Sequence, residues 1–69
     1  MKVSARNNLK GTIKQLTVGM VNAEVVIEVA PGVEVVSTIT KASAEAMELA
    51  EGKEIHAMVK ASNIMLAVE

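Results

Sequence analysis

No cysteine occurs in the 69 residues, so neither a disulfide nor a thiolate-bound metal staples this chain. Aromatic residues are absent as well, and with them the stacking platforms that small β modules use to hold nucleic-acid bases. Without aspartate there is no acid for a Ser-His-Asp triad and no standard calcium loop, and His56, the single histidine, has no partner ligand for a metal. Acidic and basic residues are interspersed at a net charge of −1, which offers no basic block to a polyanion. Gly11, Gly19, Gly32 and Gly52 are too far apart to form a phosphate-cradling loop. Uninterrupted apolar runs are only a few residues long, and the first residues lack the charged-then-apolar pattern of a leader; the expectation is a soluble, cytoplasmic protein with no membrane or nucleic-acid partner. The glutamates are spread along the chain as solvated faces, and no activated nucleophile or acid-base pair is in sight, so the expectation is a binding protein and not an enzyme.

What is present is aliphatic. Ala, Val, Ile, Leu and Met make up 51% of a chain close to the smallest size that folds alone, where only about 60% of the unfolded surface becomes buried. With no disulfide or metal available, self-association is the remaining way to enlarge the core. Met20, Met47, Met58 and Met65 lie in apolar-patterned segments and are expected to fill gaps in that core.

The patterning is mainly that of strands. Residues 9–18 read as a first strand in which Gln15 followed by Leu16 shifts the apolar parity after Ile13, the mark of a bulge or a bend. Gly19 to Asn22 suits a turn, and residues 23–29 place Ala23, Val25, Ile27 and Val29 on one face with Glu24 and Glu28 on the other. Ala30-Pro31-Gly32 breaks the strand, and residues 33–40 return as its hairpin partner through a slightly long connection. Ser43 is the expected cap of a short helix over residues 44–51, with Gly52 past its end. Residues 53–60 form a strand with Ile55, Ala57 and Val59 on its apolar face and His56 opposite, and residues 63–68 form a last one. The fold class expected is all-β: a five-stranded OB-like barrel with one short helix before strand four.

Two polar clusters punctuate the pattern. Ser4, Arg6, Asn7, Asn8 and Lys10 crowd hydroxyl, guanidinium, amide and ammonium donors into seven residues, and Lys60-Ala61-Ser62-Asn63 repeats the grammar near the other end. Read as halves of one site, they supply Arg6 and Lys60 as two cations and Ser4 and Ser62 as hydroxyl donors for a tetrahedral dianion. The same residue types also suit ordinary turns at strand ends, and residue type alone leaves both readings open.

Ser4-Ala5-Arg6-Asn7 with Leu9-Lys10-Gly11, and Lys60-Ala61-Ser62 with Ile64-Met65-Leu66-Ala67, resemble the molbindin family of small cytoplasmic molybdate-binding proteins, some called molybdenum-pterin-binding proteins. The resemblance runs the whole length of the chain, through Gly19, Ala30-Pro31-Gly32 and Ser43-Ala44-Glu45. It implies one molybdate-binding domain over residues 1–69 that assembles as a homohexamer, a trimer of dimers. Such an assembly stores molybdate, and often tungstate, at subunit interfaces, with no other cofactor and no metal coordinated directly by the protein. On the matching motif positions, Ser4, Arg6, Lys60 and Ser62 face the oxyanion, beside the backbone of Ala5 and Ala61. A second class of site near the threefold axis is also implied, with Gly19, Val21, Asn22 and His56 as its candidates. Asn8 stands where many relatives carry Gln. The same module is appended to regulators and transporter subunits, which keeps open an alternative, an oxyanion-sensing or structural interaction module without a storage role.

Overall fold

A computed structural model describes residues 2–69. Four antiparallel strands, β1 (Asn7–Val18), β2 (Asn22–Ala30), β3 (Val33–Thr40) and β4 (Glu54–Val59), form one sheet in the order β3-β2-β1-β4, curled into a half-barrel. A short helix, α1 (Lys41–Ala46), precedes β4, and a 3-10 turn, Ala61–Asn63, follows it.

The parity shift in β1 is a bulge. Ile13 pairs with Ile27 and Gln15 with Val26, so Lys14 has no counterpart on β2. The extra residue bends the strand and lets both Ile13 and Leu16 face the core. It also lets β1 serve two neighbours, β4 along Asn7–Thr12 and β2 along Thr12–Val18. The bulged Lys14 reaches Glu34 and, at 3.9 Å, Glu28. Its hydrogen bond and charge attraction to Glu34 raise its pKa above the ordinary lysine value. A raised lysine pKa means that this contribution is complete at neutral pH and fades only as pH climbs through the raised value; at an exposed pair it is small.

The hairpin between β2 and β3 is tighter than its sequence suggests. Ala30 pairs with Val33 across a two-residue turn, Pro31-Gly32, in which Gly32 takes φ 75°. Gly11 answers a different demand: a Cβ at this position would lie 2.5 Å from the Glu28 carbonyl oxygen and 2.7 Å from Ile27 Cγ2. Because one obstacle is backbone, Gly11→Ala is expected to cost about 2–3 kcal/mol, read as a lower denaturation midpoint.

The helix begins earlier and ends sooner than expected. Thr40, three residues before Ser43, is its cap: Thr40 Oγ1 accepts the Ser43 backbone N–H at 3.0 Å and donates to Ser43 Oγ at 2.8 Å. The C-terminus closes as a Schellman turn, with Glu48 N–H donating to Glu45 O at 3.0 Å and Leu49 N–H to Ala44 O at 3.1 Å. Lys53 Nζ donates to the carbonyls of Met47 and Glu48 at 2.7 and 3.1 Å. Glu48 adopts φ 54°, where glycine is normally preferred. Glu48→Gly is therefore expected to stabilise the fold by up to about 1 kcal/mol, the left-handed penalty less the extra unfolded-state freedom of glycine; thermal unfolding measures it.

Two expectations are corrected. Residues 63–68 form no strand in this chain: Asn63 belongs to the 3-10 turn, and beyond it the backbone pairs with neither β3 nor β4. A strand exists only where an edge accepts its hydrogen bonds, and the turn at residues 61–63 sends the chain away from its own edges. The methionines are not core residues either, since Met20 and Met65 are 94% exposed and Met47 and Met58 are close to half exposed. The fully buried apolar set among the described residues is Ile13, Ala23, Val25, Ile27 and Ala44, too small to enclose long side chains. The inward face of β2 and the half-buried Ile55, Ala57 and Val59 of β4 match their alternation.

Candidate functional site

The pairing of β1 with β4 builds the site. Asn7 lies opposite Val59, so the chain entering β1 and the chain leaving β4 run side by side, and Asn7 Nδ2 ties them by donating to Val59 O at 3.2 Å. After β4 the backbone turns through Ala61–Asn63, with Asn63 N–H donating to Lys60 O at 2.8 Å and Ile64 N–H to Ala61 O at 3.3 Å. Ser4, Ala5, Arg6, Lys60, Ala61 and Ser62 thereby line one recess of about 470 Å³. Residues more than fifty positions apart in sequence become neighbours through a single strand pair.

Among the described residues, the recess is lined by donors and no carboxylate. Arg6 offers a planar fork of N–H groups, Lys60 an ammonium, and the two serines a hydroxyl each, while Ala5 and Ala61 leave the backbone accessible. Three other cations are engaged elsewhere: Lys10 sits 3.1 Å from Glu54, Lys14 joins Glu34, and Lys53 caps the helix. Among the described residues, Arg6 and Lys60 form no ion pair. Two uncompensated positive charges facing one hollow give it a field that favours an anion of matching charge. In the single chain Ala5 is half-buried and the other five are exposed. Water therefore screens the cations, and strong capture of an anion requires a cover over the recess.

The second set of candidates is not gathered in one chain. Gly19, Val21 and Asn22 share the β1–β2 turn, closed by Gly19 N–H donating to Asn22 O at 2.8 Å, and Val21 O accepts Lys41 N–H at 2.7 Å. His56 stands on β4 opposite Lys10, solvent-exposed, with Nδ1 3.3 Å from Asn8 Oδ1. Asn8 thus reaches His56 and not the recess. No group of three or more His or Glu side chains suited to a metal ion occurs among the described residues, and no helix there is long and apolar enough to cross a membrane.

Sequence reasoning missed the concave side of the half-barrel. A cleft of about 300 Å³ opens there between β3 and β4, lined by Val35, Ile39, Leu49, Ile55 and Ala57, with Met47 and Met58 also on its walls. The available signal was the surplus of aliphatic residues over what one small sheet can cover.

A small antiparallel sheet with a donor-lined recess between its first and fourth strands defines a compact all-β ligand-binding module. The TOBE domain model matches residues 3–66, and the chain belongs to this family and, within it, to the molbindins. It is 44% identical to molybdenum-pterin-binding protein 2 of Clostridium pasteurianum, over 96% of this chain and 97% of that protein. It is 51% identical over all its residues to the molybdenum transport protein ModE of Azotobacter vinelandii, of which it spans only 26%. A molybdate-binding protein from Sporomusa ovata has the same fold, with a TM-score of 0.91 at 35% identity over 99% of this chain and 100% of that one. The cytoplasmic molybdate-binding protein ModG, solved with molybdate bound, matches with a TM-score of 0.83 at 43% identity over 96% of this chain and 53% of that one.

Proposed function

We propose that this protein binds molybdate, and tungstate equally, in the recess formed by Ser4, Ala5, Arg6, Lys60, Ala61 and Ser62. The observation that carries the reading is the gathering of six residues from the two polar clusters into one hollow where, among the described residues, two cations have no ion pair and no carboxylate lines the wall. The molybdate-binding relatives, matched over nearly their whole length, support the choice of oxyanion. Binding without reaction, with no further cofactor, fits a site made only of hydrogen-bond donors and fits relatives named for binding. Isothermal titration of the protein with molybdate is the test; absence of heat at millimolar ligand overturns the assignment.

The domain spans residues 1–69 and acts as a cytoplasmic molybdenum store, the compartment being that of ModG. It works as a homohexamer, a trimer of dimers, in which a neighbouring subunit covers each recess and residues 63–68 supply the fifth strand of an OB-like barrel. Gly19, Val21, Asn22 and His56 come from different subunits to form the second class of site, which accounts for their separation in one chain. Light scattering at micromolar concentration is expected to give the hexamer, and the melting temperature is expected to rise with protein concentration, as it does when folding and association are linked. A monomer with a concentration-independent melting temperature contradicts the assembly.

The match to part of ModE favours a second reading, that of a sensing or interaction module within a larger regulator. Molybdate release that follows cellular molybdenum demand separates storage from sensing.

A further inference from the structure

We propose that Asn7 is the positioning residue of the recess: without touching the anion, its side-chain amide sets the spacing between the Arg6 wall and the Lys60 wall, and with it the size of oxyanion that the recess accepts. The proposal rests on the molybdate reading above and adds to it the residue that makes the site selective.

Local preference does not explain an asparagine at this position. Asparagine is depleted in strands, yet Asn7 opens β1 and is the first residue of its pairing with β4. A residue that breaks a local rule is expected where function asks for it. Its neighbour Asn8 is exposed and turned to His56, whereas Asn7 is half-buried and donates Nδ2 to Val59 O at 3.2 Å. Only the donor end of the amide suits that place, since a carbonyl accepts and does not donate.

The bond lies where the sheet ends. Asn7–Val59 is the terminal pair of the β1–β4 ladder, and the residue beyond it on each strand is a cation, Arg6 before Asn7 and Lys60 after Val59. Among the described residues, no backbone hydrogen bond joins residues 2–6 to residues 60–64; the bonds of the turn, from Asn63 N–H to Lys60 O and from Ile64 N–H to Ala61 O, are internal to it. No backbone pairing past Asn7 therefore holds the two walls together. Like charges on opposed strands push a pair apart, and here no carboxylate of the described residues lies between them. A ladder end yields to such a push by fraying. The Asn7 amide opposes the opening from directly behind both cations.

Fixed walls are what makes anion size matter. Asn7 does not line the recess, so it acts on the anion only through Arg6 and Lys60. An anion whose oxygens reach both walls keeps all its hydrogen bonds at full strength only where the walls stand at its own width, and a smaller one has stretched bonds on one side. Walls free to move close on the smaller anion and erase the difference. Loss of the Asn7 amide thus weakens molybdate, for which the spacing is preorganised, and spares sulfate. A purely structural role would lower stability and weaken every anion alike.

The test is calorimetry on the full chain with molybdate, and with sulfate in competition, with light scattering to record the assembly of each variant. Asn7→Val removes the amide and supplies a residue that strands favour, so the fold is expected to survive. The expected result is molybdate affinity at least about 10-fold weaker, and a preference for molybdate over sulfate that falls from at least about 100-fold to below about 10-fold. Asn7→Gln carries the amide one methylene farther out and is expected to fall between Asn7→Val and the parent protein. Asn8→Val removes an amide from the next position and is expected to keep the parental preference. A parental preference in Asn7→Val, or in Asn7→Gln should Asn7→Val not assemble, overturns the proposal, as does an equal shift in Asn8→Val. The two readings fail differently. A parent protein that gives no heat with molybdate removes the anion assignment and the positioning role with it, whereas a parent protein and an Asn7→Val variant that bind and discriminate equally remove the positioning role alone.

Discussion

Arg6→Ala and Lys60→Ala are each expected to weaken molybdate binding by about 2–5 kcal/mol, a loss of roughly 30-fold to several-thousand-fold. Each substitution leaves a covered dianion short of one charge-assisted partner, and among the described residues Arg6 and Lys60 are the only charged ones that line the recess, so neither has a substitute there. Ser62→Ala removes one neutral donor and is expected to cost less, about 1 kcal/mol. Titration calorimetry on variants that retain the wild-type assembly measures all three. Unchanged affinity in both charge variants would place the anion elsewhere on the protein.

Selectivity is expected to separate tetrahedral anions by size and by protonation. Molybdate and tungstate share charge and nearly share size, so fixed cations and hydroxyls bind them almost equally. Sulfate is a smaller tetrahedron. In a recess whose walls are set by Ala5 and Ala61, a smaller anion lengthens several hydrogen bonds together, and such bonds weaken steeply beyond their preferred distance. Phosphate at neutral pH carries a proton that a donor-only site would leave facing another donor. Sulfate and phosphate are therefore expected to bind at least about 100-fold more weakly than molybdate, a gap of roughly 2.7 kcal/mol. Competition titrations read the ratio, and displacement of micromolar molybdate by millimolar sulfate would reduce the recess to a generic anion site.

The parts of this fold that were legible in the sequence are those written in local alternation. Ala23, Val25, Ile27 and Val29 announce the inward face of β2, and the parity shift after Ile13 announces the bulge. The helix boundaries were not legible, because Thr40 and Ser43 are both competent caps three residues apart and the stop is made by Glu48 in a conformation that sequence assigns to glycine. The strand expected at residues 63–68 pairs with neither open edge of its own sheet, β3 or β4, because the 3-10 turn at Ala61–Asn63 leads the chain away, and periodicity carries no information about pairing partners. The exposure of Met20 and Met65 was not legible either, since apolar patterning does not tell an enclosed core from an exposed apolar surface. For the candidate site, residue types drew attention to both clusters. Only the opposition of Asn7 and Val59 brings them to one place, and only the separation of His56 from Gly19, Val21 and Asn22 divides the second set.

That opposition also orders events in time. The β1-β2-β3 meander joins neighbours in sequence through short turns, and its loops close at little entropic cost. The return of β4 to β1 spans 52 residues between Asn7 and Val59, the most distant contact of the sheet and the slowest kind to form. On a ribosome, the meander is complete in sequence once Thr40 has emerged, whereas β4 and the residues Lys60 and Ser62 that follow it are made later. The recess is thus assembled after the rest of the sheet, so an anion bound there as proposed would meet a scaffold already in place and act as a lock on the finished fold, not as a template for it.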